Sequence, residues 1–122
     1  MTRFTKAELR FLTDGDRRLG RLATIDAYGR PHVVPLGWTY NAALGTIDVS
    51  GRDFAATRKF RNAQKNPNVA LVIDDVLAPW RPRCIMVQGT AETIEHPADG
   101  GEAIIRITAD KVVSWGLDEG IR

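Results

Sequence analysis

A single cysteine, Cys84, stands in the whole chain of 122 residues. No intrachain disulfide can form, which fits a reducing compartment. Only two histidines occur, His32 and His96, each far from any clustered ligand set, so no metal site is expected. There is no G-x-G-x-x-G after a strand and no Walker loop, which removes the common nucleotide fingerprints. G-x-S-x-G is missing, so nothing marks a serine nucleophile. Neither sign of charge dominates: 17 Lys and Arg stand against 15 Asp and Glu, a net charge of +2. That is too mild for general nucleic-acid binding. The longest clean apolar run, Val69 to Ile73, is far short of the ~20 residues of a membrane-spanning helix. The start, Met1 to Lys6, has no apolar signal-peptide core. These absences predict a soluble cytoplasmic protein with no nucleic-acid or membrane partner.

What is present is unevenly placed. Arg52 to Pro67 carries five cations (Arg52, Arg58, Lys59, Arg61, Lys65) and one anion, Asp53. Glu92 to Glu102 holds four acids and no Lys or Arg. Thr57, Arg58, Lys59 and Arg61 crowd into little more than one helical turn, just after Ser50-Gly51 ends a strand. Most charged helix faces are simply solvated. Here few acids are near to neutralise the cations. A phosphate would gain charge-assisted hydrogen bonds from Lys and Arg, with help from a hydroxyl. The segment points to a phosphorylated ligand.

The pattern elsewhere is mainly β, and the length suits one domain over residues 1–122. Thr5-Lys6-Ala7-Glu8 reads as a capping box, with Leu9 and Leu12 as the apolar stripe of a first helix that Gly15 ends. Leu19 to Asp26 and Pro31 to Tyr40 read as strands around a turn at Ala27–Arg30. In the second, Val34, Leu36, Trp38 and Tyr40 form a large apolar face. Val33, Pro35, Gly37 and Thr39 form a small face, open to a flat ligand. Thr46 to Ser50 is a third strand. The basic helix follows, with Asp53 as its N-cap and Pro67 as its stop. Val69 to Asp74 is a strand, Val76 to Arg83 a loop, and Cys84 to Ile94 a long strand in which Gly89 marks a bulge or close packing. A loop from His96 to Gly101 leads to Ala103–Thr108 and Lys111–Trp115, strands or strand halves. About six short antiparallel strands with one inserted helix suggest a closed or split barrel.

Cys84 opens an apolar strand and reads as a small buried hydrophobe, not a nucleophile. Trp80 and Trp115 have two readings, as core or as walls of a flat-ring pocket. Trp80 lies in a Pro-rich loop beside Arg81 and Arg83.

Several stretches together resemble one family. Arg21-Leu22-Ala23-Thr24-Ile25-Asp26 followed by Gly29-Arg30-Pro31-His32-Val33-Val34-Pro35 resembles the opening strands of pyridoxamine 5′-phosphate oxidase-like, FMN-binding split barrels. Lys59-Phe60-Arg61-Asn62 and Lys65 to Asp74 resemble their helix and following strand. Val87-Gln88-Gly89-Thr90-Ala91-Glu92 is similar to the family's V-x-G-x-A-x strand. Ile105 to Gly116 is similar to the subgroup that uses the deazaflavin F420. The resemblance covers nearly the whole chain.

It implies a six-stranded antiparallel split β-barrel homodimer, with cofactor clefts between the subunits. It places Lys59, eight residues before the Asn-Pro proline, on the cofactor phosphate. Thr57 stands where some relatives have an arginine, and Arg58 or Arg61 can supply the second cation; Asn62 completes the motif. The ring would lie along Pro35, Leu36 and Gly37, with Val49, Ser50 and Gly51 opposite. The loop holding Trp80 and Arg81 would reach the partner's site. The implied activity is hydride transfer between reduced F420 and a small electron-poor substrate. The cofactor would carry the chemistry, so no catalytic side chain is expected. Tyr40, His32 and Ser50 are weak candidates for a proton donor. The alternatives are an FMN enzyme of the same fold, or a flavin or deazaflavin carrier without turnover.

Overall fold

A computed structural model describes residues 3–117. Helix α1 spans Lys6–Thr13 and carries the expected capping box, Thr5 with Glu8. Strands follow as β1 (Gly20–Ile25), β2 (Pro31–Leu36), β3 (Trp38–Asn41) and β4 (Thr46–Ser50). A 3-10 turn at Phe54–Ala56 leads into α2 (Arg58–Lys65), and then come β5 (Asn68–Leu77), β6 (Arg81–Ile94) and β7 (Ile104–Trp115). All strands pair antiparallel in one sheet of order β2-β1-β5-β6-β7-β4-β3.

That order explains the barrel. Strands β2 and β3 stand at opposite ends of the sheet, yet only Gly37 separates them in the chain. The chain leaves β1 at Leu36 and joins β4 at Trp38, so the two sheet edges must curl together. Trp38 fastens the join. Its indole N–H donates to the Arg18 carbonyl at 2.7 Å. Its ring lies where a side chain on Gly20 would otherwise sit, 3.2 Å from that glycine's Cβ position.

Among the described residues there are seven strands rather than six. The expected strand Pro31–Tyr40 divides at Gly37 because it changes partner there. The expected halves 103–108 and 111–115 merge into β7, continuous because β6 pairs with it throughout. A bulge at Gln88/Gly89 absorbs the irregularity, leaving Asp110 unopposed. A Cβ on Gly89 would stand 2.5 Å from the Thr108 carbonyl oxygen, so only glycine fits. The expected loop 76–83 is a tight hairpin, because β5 and β6 pair out to Leu77 and Arg81. Its connection contains a cis Ala78–Pro79 peptide.

Inward residues at every second position build the core: Leu22 on β1, Ile47 and Val49 on β4, Leu71 and Ile73 on β5, with Ile85, Val87, Ile105 and Ile107 beside them. Phe54 and Phe60 plug one end, ring centroids 5.8 Å apart in an edge-on contact. Cys84 is buried as expected, and burial raises its thiol pKa. Trp80 and Trp115 are not core: they are 75% and 52% exposed. No helix among the described residues is long and apolar enough to cross a membrane.

Candidate cofactor cleft

The basic segment begins with a break. Asp53 sits in the left-handed region at φ +50, and its side chain caps nothing. The N-cap of α2 is instead Thr57, whose extended backbone redirects the chain into the helix. Thr57 Oγ1 donates to the Phe54 carbonyl at 2.6 Å and accepts from the Phe60 N–H at 3.4 Å. A threonine does this where an aspartate at 53 cannot, because three 3-10 residues intervene.

α2 packs Phe60, Asn62 and Ala63 against the barrel. The Asn62 amide donates to Thr24 Oγ1 on β1 at 3.1 Å, within the buried layer. Its side chain ties helix to sheet. Arg58, Arg61 and Lys65 share one outer face and line a recess of about 240 Å³ with Asp26 and Tyr28. Asp26 is occupied there: it accepts from the Tyr28 and Arg30 N–H groups and lies 3.1 Å from His32 Nε2. The Arg30 backbone contact and these partners hold its carboxyl below the usual range. Lys59 points elsewhere, its ammonium 5.4 Å from the Phe54 ring centroid. Arg61 also reaches the Ala56 carbonyl.

None of the five cations from Arg52 to Lys65 forms an ion pair among the described residues, whereas Arg18, Arg21, Arg83 and Arg106 all do. The segment's charge is therefore not neutralised by side chains among the described residues. The donor chemistry suits a phosphate: a lysine and arginines, while the one Thr57 hydroxyl proton is already given to the Phe54 carbonyl.

The proposed ring strip has an open surface. Pro35 and Gly37 are exposed, and a Cβ at Gly37 would meet nothing within 4 Å. Ser50 is exposed and Gly51 half-buried. Leu36 and Val49 face the core and offer only backbone groups to a ligand. Trp80 and Arg81 stand at the tip of the β5–β6 hairpin, with Arg81 Nε donating to the Ala78 carbonyl at 3.3 Å. Of the proton-donor candidates, Tyr40 packs edge-on against Phe4 at 5.9 Å, His32 faces Asp26, and Ser50 is solvent-exposed. Two features escaped the sequence reading. Tyr28 and Lys65 join Arg58 and Arg61 in one recess, and Gly15–Leu19 forms a second cavity wall against β3. Helical spacing 58–61–65 was the available signal for the first; the second needs the tertiary fold.

Comparison with known proteins agrees with this architecture. Residues 4–119 match the family model described as pyridoxamine 5′-phosphate oxidase. A Streptomyces rimosus protein named 5a,11a-dehydrotetracycline/5a,11a-dehydrooxytetracycline reductase is 39% identical, covering 94% of this chain and 84% of that protein. Among solved structures, a Mesorhizobium loti protein titled FAD-binding superposes with a TM-score of 0.69 at 20% identity, covering 91% of this chain and 92% of that one. A structure titled F420 reductase superposes with a TM-score of 0.67 at 21% identity, covering 85% and 94%. The chain belongs to the pyridoxamine 5′-phosphate oxidase family, a family of split-barrel oxidoreductases.

Proposed function

We propose that the protein is an F420-dependent reductase of electron-poor, polycyclic substrates. The observation that carries this reading is the set of cations on α2 that form no ion pair among the described residues, together with the exposed small residues Pro35, Gly37 and Ser50 on β2 and β4 and at the turn between β2 and β3. Lys59 would hold the cofactor phosphate, with Arg58 or Arg61 as second cation, at the helix start that Thr57 caps. Backbone groups of Leu36 and Val49, with Pro35, Gly37, Ser50 and Gly51, receive the ring. The chemistry a reduced deazaflavin would supply there is a hydride for the electron-poor carbon of a double bond, with the proton for the neighbouring carbon coming from solvent and the cofactor becoming oxidised. The relative named as a dehydrotetracycline reductase supports both the reaction type and the substrate class.

The protein acts as a homodimer with the cleft between subunits. Supporting this, the outer sheet face aligns Val72, Met86 and Val113 in one register row, with Val33 63% exposed nearby. From the partner subunit, the Trp80–Arg81 hairpin would close the cleft. A reducing cytoplasm suits the buried Cys84 thiol.

The test is titration with F420 and with FMN, followed by fluorescence. The reduced complex is then mixed anaerobically with a dehydrogenated tetracycline. F420 binding and oxidation above the protein-free rate are expected. FMN binding alone would move the assignment to a flavin enzyme of the same fold, which Lys59 would serve equally. F420 binding without turnover of any acceptor would make the protein a carrier.

A further inference from the structure

A sizeable cavity lies away from the basic helix. It is a recess of about 670 Å³ between the α1–β1 connection and β3. That volume is in the range of pockets that enclose drug-sized ligands. Its two walls are built differently, and both are held firmly.

The first wall is the connection Gly15–Leu19. Arg18 anchors it: the guanidinium is 2% exposed and bonds Asp14 at 2.7 and 2.9 Å, Asp75 at 2.8 Å and the Phe11 carbonyl at 2.9 Å. Around it the chain alternates. Arg18 and Gly20 point inward, so Arg17 and Leu19 are thrown outward. Leu19 is 56% exposed although it lines a cavity. Arg17 makes no ion pair among the described residues, and Asp16, also in the lining, leans toward Arg18 at 3.4 Å. The second wall is β3, where Thr39 faces outward and the rings of Trp38 and Tyr40 are half-buried. Gly37 belongs to the lining too. It is the same residue that borders the proposed ring strip, and it carries no side chain to separate the two spaces.

We infer that this recess is the substrate pocket and that it takes a flat, carbon-rich molecule bearing one anionic group, such as an ionised enol or carboxylate. This rests on the reductase reading above. Leu19, Trp38 and Tyr40 supply the apolar contact, Arg17 the counter-charge at the rim, and the gap at Gly37 lets the reactive end of the substrate reach the ring. Substrate selection therefore depends on the α1–β1 connection, away from the basic helix that selects the cofactor.

Two substitutions outside the cofactor residues test it. Thr39→Trp fills the recess from β3, and Arg17→Glu reverses the rim charge. Calorimetric titration of a dehydrogenated tetracycline into cofactor-free protein should show binding to wild type, weakened at least tenfold by either substitution. F420 affinity should stay within twofold. In steady state, KM for the tetracyclic enone should rise at least tenfold, while turnover of menadione, a compact neutral acceptor, should not change. No enone binding to wild type, or enone binding untouched by both substitutions, overturns the pocket even where F420 binds. A changed sedimentation mass for Thr39→Trp would also overturn it, because the recess would then belong to the subunit contact. Enone binding that follows the expected pattern without any F420 binding would uphold the pocket and sink the reductase reading instead.

Discussion

Cations in this chain fall into two sets. Arg18, Arg21, Arg83 and Arg106 each hold a carboxylate of the sheet or its connections. The set on and before α2 holds none among the described residues. Different experiments should respond to each. Lys59→Ala should weaken F420 affinity by at least about 1.5 kcal/mol, roughly tenfold, if its ammonium makes a charge-assisted contact; fluorescence titration measures it, and an unchanged affinity removes Lys59 from the site. Arg18 belongs to stability. It bridges Asp14 and Asp75 and lies 3.9 Å from the Phe11 ring centroid, with Arg83 on the same ring at 5.0 Å. Removing it leaves Asp14, one-third exposed, without its partner while Asp75 keeps Arg83, so Arg18→Ala should cost about 1–3 kcal/mol in urea unfolding. The same network sets acid sensitivity. The Arg18 hydrogen bond holds Asp14 below its ordinary value of 3.8, and the Arg83 hydrogen bond does the same for Asp75. A depressed folded-state pKa adds stability that is present above the unfolded value and lost as pH falls through the folded one. The urea midpoint should therefore be flat near neutrality and fall below about pH 4, with a shallower acid loss in Arg18→Ala.

At the level of elements, two devices place the cleft. One is Gly89. Its bulge lets β7 run unbroken alongside β6 through Asp110, which accepts from the Thr90 hydroxyl at 2.7 Å. Gly89→Ala would press a methyl into the Thr108 carbonyl and the Ile107 side chain, at 2.5 and 2.9 Å. A loss of about 1–3 kcal/mol is expected from overpacking, read as a lower thermal midpoint. The other is the Thr57 cap. Alternation and helical spacing made most elements legible, including the capping box at Thr5 and the glycine of the bulge. The start of α2 was not legible, because Asp53 and Thr57 are both good N-cap residues and only the intervening 3-10 turn separates them. The split at Gly37 was equally hidden. A continuous alternation looks like one strand, whichever partners its two halves have.

For the whole molecule, the curl of the sheet decides what meets what. It brings β3 beside the α1–β1 connection, with Trp38 bonded to the Arg18 carbonyl. It also sets an apolar row on the outer face, with Met86 between Val72 and Val113 and Arg21 beyond Val72. If that face is the subunit contact, wild type should sediment as a dimer, and Met86→Glu should yield a folded monomer with weakened F420 binding. A monomeric wild type that binds F420 as tightly would remove the partner from the site.

By itself the sequence determined the β-rich class, the capping box at Thr5, most core positions and the charge of the segment around Lys59. These depend on neighbours within a few residues, where periodicity and side-chain chemistry act directly. Only the tertiary structure decided that Asn62 faces Thr24, that Arg58, Arg61 and Lys65 share a recess apart from Lys59, that Trp80 and Trp115 stand in the open, and that Arg17 and Leu19 look across a cavity at Thr39. Those relations join residues far apart in the chain. They arise from sheet order and closure, which hydrophobic alternation permits in many forms and only the packing of all seven strands selects.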